Sequence, residues 1–333
     1  MEKEVESPTY TIDEDRYSRF DKRDTVFGRK ILDPHVDFYD TDMYEKVDKV
    51  MDENNEGYSP VQFAQMMGAW TVYDYFHGAF SWEKLGDANN VMSKPILQDF
   101  KVEDRVEMSE AIKETAKIYG ASMVGITELN KDWLYSHDYE GEEIDIPDEF
   151  GYAIVMAIKL DPQRVKKSPS FPAGIESGLG YSKMAFTIGC LAEFIRSLGY
   201  RAIPMGNDTA LSIPLAIDAG LGELGRNGLL ITPEYGPSIK LCKVFTDMPL
   251  HTDNPISFGV EEFCKDCGKC AEACEADAIR AKKEPSFETI NRSNNEGIKR
   301  WAVDHEKCYK FWIENGSDCS TCVKVCPFVD MAV

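Results

Sequence analysis

The spacing of apolar residues along this 333-residue chain changes character twice. From Asp13 to Glu53 acidic and basic side chains interleave without a sustained period, which predicts loops and short helices laid over a body formed elsewhere. Ser59-Pro60 then offers an N-cap and a proline at the first helical position, and the predicted helix runs through Phe63, Met66, Met67 and Trp70 toward Tyr75. From about Glu107 helices and strands alternate. Met108, Ile112 and Ala116 share a helical face, and Gly120 ends that helix. Ser122–Ile126 reads as a short strand, and Tyr152–Leu160 as an apolar strand covered on both faces. A helix is predicted from about Tyr181 to Leu198, stopped by Gly199, and another near Pro214–Ala219. Short strands are predicted at Arg201–Pro204, Leu229–Thr232 and Lys240–Thr246. The pattern is an α/β or α+β core, not a helical bundle.

Charge narrows the partners. At a net charge of −21 no nucleic-acid partner is expected, because a phosphate backbone is held by clustered Lys and Arg. No stretch approaches the roughly 20 apolar residues of a membrane helix. Tyr152–Ile158 is far shorter, and Glu193 interrupts the apolar helix around Met184. Near Met1 no basic segment leads into an apolar one. As given, the chain reads as soluble, either as made or as the mature form of an exported protein.

Eight of the ten cysteines lie between Cys264 and Cys326, and that clustering favours metal ligation over disulfides. Cys264, Cys267, Cys270 and Cys274 form C-x2-C-x2-C-x3-C. Cys319, Cys322 and Cys326 form C-x2-C-x3-C before Pro327, with Cys308 eleven residues upstream of Cys319. Two-residue gaps let a loop turn around an iron–sulfur cube, and in two-cluster ferredoxins the last cysteine of a run serves the other cube. The spacing therefore assigns Cys264, Cys267, Cys270 and Cys326 to one [4Fe–4S] cluster, and Cys274, Cys308, Cys319 and Cys322 to a second. Zinc would use two pairs and leave the third cysteine of the first run idle. Glu275 stands where such runs usually carry proline, which changes a turn and removes no ligand. Cys190 and Cys242 read as core thiols.

A two-cluster ferredoxin needs far fewer residues, so the rest of the chain has a further role. Gly220, Gly222, Gly225 and Gly228 fall close together in GLGELGRNGLLITPEYGP (220–237). That density lets backbone amides approach a large, flat or anionic ligand, and it also occurs in ordinary tight turns. Gly220-x-Gly222-x-x-Gly225 fits the bare dinucleotide pattern, but the segment before it reads as helix rather than strand.

Residues 220–237, Leu241–Pro249 (LCKVFTDMP), the two cysteine runs and Arg19-Phe20-Asp21-Lys22-Arg23-Asp24 together resemble the corrinoid-dependent reductive dehalogenases, across nearly the whole chain. The resemblance implies an N-terminal wrapping region (1–105), a nitroreductase-like corrinoid-binding core (106–250) and a ferredoxin-like domain with two [4Fe–4S] clusters (251–333). It implies a cobalamin-type corrinoid held base-off, with Gly220, Gly222, Gly225, Arg226, Asn227 and Gly228 as its binding residues. It further implies a membrane-anchor partner, an upstream electron donor and a place at the outer face of the cytoplasmic membrane. Cobalamin proteins of another type ligate cobalt through the His of Asp-x-His-x-x-Gly. Here Phe38 replaces that glycine after Asp33-Pro34-His35, and His35 reads as a surface or capping residue.

The activity implied by the resemblance is replacement of halogen by hydrogen on a small organohalide, which takes two electrons and one proton. A Co(I) corrinoid would deliver the electrons and the clusters would recharge it. By resemblance Tyr181 is the proton donor, Lys240 the cation that stabilises its phenolate, and Asn207 the residue that orients substrate. A cation about 4 Å from a phenolate, at an effective dielectric near 20, is worth roughly 4 kcal/mol before desolvation. From the residues alone, Tyr181 reads as a packing aromatic at a helix start, Lys240 as a strand end and Asn207 as a turn residue. Trp70, Tyr75 and Phe76 are candidates for the pocket wall. Small chlorinated alkanes or alkenes are the expected substrates, larger aromatic halides the alternative, and the oligomeric state is open. Two other readings fit part of the pattern. One is an epoxyqueuosine-reductase-like enzyme, which acts on tRNA and needs a basic surface; the other is a non-catalytic two-cluster electron carrier.

Overall fold

Four strands rich in β-branched and aromatic residues form the centre of the molecule: β1 (Met123–Glu128), β2 (Tyr152–Lys159), β3 (Ala202–Met205) and β4 (Ile239–Thr246). They pair in the order β1-β2-β4-β3, every pair antiparallel, in a computed structural model that describes residues 2–53, 55–76 and 100–330. Ile154 sits opposite both Ile126 and Val244, so β2 and β4 are the interior strands. Alternation along them explains the unbroken apolar runs. Ile154, Met156 and Ile158 face one side with Cys242 and Val244, and Ala153, Val155 and Phe245 face the other.

Helices cover both faces. On the first, Ile112 and Ala116 of α2 (Arg105–Ile118) and Met184, Ile188 and Leu191 of α3 (Phe171–Ser197) pack on the sheet. On the second, Leu215, Ala216 and Ile217 of α4 (Ser212–Asp218) pack with Trp133 and Leu134. Each large aliphatic side chain buried this way contributes about 1.5–3 kcal/mol. The mixed helix-and-sheet architecture predicted from the pattern is the one observed. Gly120 closes α2 at φ +110°, where glycine is favoured.

Helix α3 departs from expectation: it opens at Phe171, ten residues before the predicted start, with Pro172 in its first turn. Gly174, Gly178 and Gly180 weaken the helical signal there. Their purpose is contact. A Cβ on Gly178 would lie 2.7 Å from Trp70 Cδ1 on α1 (Pro60–Phe76), and one on Gly180 would lie 2.8 Å from Leu160 and 2.9 Å from Lys240 Cγ. Tyr181 therefore stands in the third turn of α3 and not at a helix start. Helix α1 begins as predicted, with a reciprocal cap: Ser59 N–H donates to Gln62 Oε1 (3.1 Å) and Gln62 N–H to Ser59 Oγ (3.3 Å).

The N-terminal segment wraps the core through short helices at Lys22–Asp24, Val26–Leu32 and Val47–Asp52. Tyr10 and Tyr17 meet Trp133 edge-on at 5.1 and 5.4 Å. The Arg19 guanidinium donates to the carbonyls of Tyr135 (2.6 Å) and Ile144, which straps the segment down. At the other end α5 (Val260–Cys267) and α6 (His305–Asn315) carry cysteines of a C-terminal module. Among the described residues no helix is long and apolar enough to cross a membrane.

Gly125 on β1 faces the backbone carbonyl of Ala219 so closely that an added Cβ would overlap it. Gly125→Ala is expected to lower the unfolding free energy by about 1–3 kcal/mol, through forced backbone displacement. Chemical denaturation measures this, and an unchanged midpoint would contradict the packing.

Candidate active site

The fold brings Tyr181, Asn207 and Lys240 together from three elements. Asn207 Nδ2, in the loop after β3, donates to the Tyr181 phenol oxygen at 2.7 Å. The Lys240 ammonium lies 4.7 Å from the centroid of the Tyr181 ring. Sequence reasoning placed Lys240 beside the phenolate oxygen, whereas here the ammonium stands over the ring and the Asn207 amide meets the oxygen. The cause is Gly180, whose missing side chain lets the Lys240 stem run against α3. Trp70 stacks on the Tyr181 ring at 5.0 Å, and Tyr73 tilts against it at 4.9 Å. The side chains of Tyr75 and Phe76, the other candidates for the pocket wall, lie outside the described residues.

The loop that presents Asn207 is anchored by a residue that sequence reasoning passed over. Lys243 on β4 is fully buried, and its Nζ donates to Gly206 O (2.7 Å) and Ser212 Oγ (3.1 Å). Burial pushes its ammonium down to about 8, against the pull of nearby Asp208. Asp208 in turn accepts from Gly206 N–H at 2.9 Å, and Thr209 takes a left-handed φ of +68°. A lysine inside LCKVFT was the available signal, since strand alternation turns it inward with Leu241 and Phe245.

Among the described residues, three buried donors around this region have no partner: Trp70 Nε1, Ser177 Oγ one turn before Tyr181, and Ser238 Oγ just before β4. Orphaned donors of this kind fit a ligand whose rim carries many amide carbonyls, as a corrinoid does.

The fold gathers the eight clustered cysteines near one another in the C-terminal module. Cys264, Cys267 and Cys326 lie near Cys270, and Cys274, Cys308 and Cys319 near Cys322, while Cys270 and Cys322 also approach each other where the two groups meet. Cys264, Cys267, Cys270 and Cys326, with Arg226 and Phe328, line one small cavity. Backbone N–H groups already point at sulfur: Ala278 N–H donates to Cys274 Sγ (3.3 Å) and Thr321 N–H to Cys319 Sγ (3.4 Å). Among the described residues no three metal-ligating side chains converge on the position of a single ion. Zinc would draw its thiolates to about 2.3 Å from one point, whereas an iron–sulfur cube spreads them around a volume. Burial pushes the Cys326 thiol up to about 11 and those of Cys270 and Cys308 to about 12. Ligation in these positions would therefore release protons.

The glycine-rich segment is a hairpin, Glu223–Leu224 paired with Leu230–Ile231, so the predicted strand at Leu229–Thr232 is its return arm. Its glycines are explained by contacts within the chain. Gly222 abuts the Ile231 carbonyl, Gly225 would place a Cβ 2.8 Å from the Ile231 side chain, and Gly220 and Gly228 both take φ +73°. Arg226 and Asn227 are buried, and Asn227 Oδ1 accepts from Leu229 N–H at 3.2 Å. Glu223 caps α5, accepting from the N–H groups of Phe258 (2.9 Å) and Val260 (3.0 Å). The hairpin thus joins the core to the cysteine module. A second joint is Leu160, which meets Gly180 on one side and packs with Val323 and Cys322 on the other. His35 is exposed, and its N–H donates to Asp33 Oδ1 at 3.0 Å. Cys242 is fully buried in the core and Cys190 partly so.

A family model described as a 4Fe-4S dicluster domain matches residues 263–329. The tetrachloroethene reductive dehalogenase of Desulfitobacterium hafniense is 37% identical over 75% of this chain and 52% of its own length. A solved catabolic reductive dehalogenase superposes with a TM-score of 0.75 at 26% identity, covering 98% of this chain and 44% of that one. A second, whose structure suggests a mechanism for B12-dependent dehalogenation, gives 0.74 at 26% identity over 98% and 43%. The match to epoxyqueuosine reductase of Listeria monocytogenes is shorter, 31% identical over 35% of this chain and 29% of that relative. The chain spans about half the length of the curated dehalogenases it matches. In sequence and in fold alike, it is a homologue of the reductive dehalogenases, with a C-terminal dicluster module.

Proposed function

We propose that this chain catalyses reductive dehalogenation, replacing the halogen of a small organohalide by hydrogen, with a base-off corrinoid and two [4Fe–4S] clusters. The observation that carries the reading is the Tyr181–Asn207–Lys240 constellation, set one residue, Leu160, away from the second cysteine set. The corrinoid, when bound, supplies the electron pair that breaks the carbon–halogen bond. Tyr181 supplies the proton to the carbon that loses halide. The Asn207 amide, already donating to the phenol oxygen, stabilises the charge left there, and the Lys240 ammonium adds to that field. Trp70 Nε1, Ser177 and Ser238 are donors for the corrinoid rim. The 220–228 hairpin, with Gly220, Gly222, Gly225, Arg226, Asn227 and Gly228, serves the cofactors by holding the cluster module (251–333) against the core (106–250), while the described residues of the N-terminal region (1–105) wrap both.

Relatives named for tetrachloroethene and trichloroethene favour a chlorinated alkene, in keeping with the apolar faces of Trp70 and Tyr73. A solved relative in complex with 3-bromo-4-hydroxybenzoic acid makes a halogenated aromatic the second candidate. An upstream donor, a membrane-anchor protein and a place at the outer face of the cytoplasmic membrane complete the proposal. A tRNA substrate is disfavoured by the net charge of −21.

Tyr181→Phe is expected to retain iron and corrinoid while its rate of chloroethene dehalogenation, driven by a reduced viologen, falls on the order of 10²–10⁴-fold. Full activity in that variant would remove Tyr181 as the donor.

A further inference from the structure

We propose that Arg226, at the tip of the hairpin, is a positioning residue for the set Cys264, Cys267, Cys270 and Cys326, and that its buried charge raises the reduction potential of the cluster held there. The inference rests on the reading that these thiols hold a [4Fe–4S] cluster, and it adds a role in setting that cluster's potential. Arg226 is 2% exposed. Its Nε and Nη2 both donate to Cys264 O (3.1 and 2.5 Å), and its Nη1 donates to Arg280 O (3.0 Å) and Lys282 O (2.6 Å). One rigid fork from the core thereby pins two separate segments of the cysteine module. The guanidinium also lies 4.6 Å over Trp301, whose Nε1 donates to the same Lys282 carbonyl at 2.9 Å.

Among the described residues, the hydrogen-bond partners of Arg226 are backbone carbonyls, and its ring partner is an aromatic face; none of them neutralises its charge. The adjacent acid, Glu223, directs its carboxylate to Ser257 Oγ and the N–H groups of Phe258 and Val260. Arg226 lines the same cavity as the four thiols. A cluster on four thiolates becomes more negative when it takes an electron, so an unneutralised cation beside it in a buried setting favours the reduced state. Hydrogen bonding and local charge are the levers by which a protein sets iron–sulfur potentials.

The test is a redox titration of the holoprotein followed by electron paramagnetic resonance, comparing wild type, R226Q and R226K. C326S, which lacks a ligand of this set, marks the midpoint that belongs to it. R226Q is expected to move that midpoint to more negative potential and leave the other unmoved, with R226K restoring it toward wild type. Both midpoints unmoved in R226Q would overturn the proposal. Should R226Q load only one cluster, R226K decides. Two clusters with wild-type midpoints would support a requirement for charge, whereas loss of the cluster in R226K as well would leave Arg226 a packing residue and overturn it. Wild-type protein without iron–sulfur signals would instead refute the underlying cluster reading.

Discussion

The close approach of α3 to α1 and β4 is the constraint on which the rest of the site depends. Gly178 and Gly180 leave no room for side chains, and Trp70, Leu160 and Lys240 occupy the space they vacate. Because α3 comes this near, the next residue, Tyr181, meets the Lys240 ammonium and the Trp70 ring in one place. The same strand that carries Lys240 carries Lys243, which holds the Asn207 loop from below through the Gly206 carbonyl. The two faces of β4 thus determine the electrostatic field at the phenol, through Lys240, and the geometry of the amide that touches it, through Lys243.

The second requirement is that redox groups in a separate module stand near this site. Two joints meet it by different physics. Leu160 makes an apolar bridge between α3 and the set containing Cys322. The hairpin at 223–231 makes a polar one, with Glu223 capping α5 and Arg226 clamping the carbonyls of residues 264, 280 and 282. A buried arginine satisfied by carbonyls in two segments resists sliding of the module, because any shift leaves several polar groups unpaired in a low-dielectric setting.

Much of the frame was legible in the chain because it depends on local period. Strands such as Tyr152–Lys159 announce themselves through continuous apolar residues, and the dicluster module through its cysteine spacing. The first ten residues of α3 were hidden for a physical reason: Gly174, Gly178 and Gly180 are poor helix formers whose value lies in what they let approach, and those partners are distant in sequence. The glycines of 220–228 suggest a ligand platform by their density, and only folding shows how closely Ile231 and Asn254 approach Gly222, Gly225 and Gly220. Arg226, Glu223 and Lys243 were invisible as joints because each acts on backbone groups that only folding brings near. Tyr181, Asn207 and Lys240 were reached through resemblance; nothing in their local context separates them from packing, turn and strand-end residues.

The central claim is that a cobalt macrocycle and two iron–sulfur cubes share this chain. Metal analysis of protein made and purified without oxygen in a corrinoid-producing host tests it most directly. The claim predicts about eight iron atoms and about one cobalt per chain, with corrinoid absorption bands released on denaturation. Iron at that level with no cobalt would contradict it and leave a two-cluster redox protein.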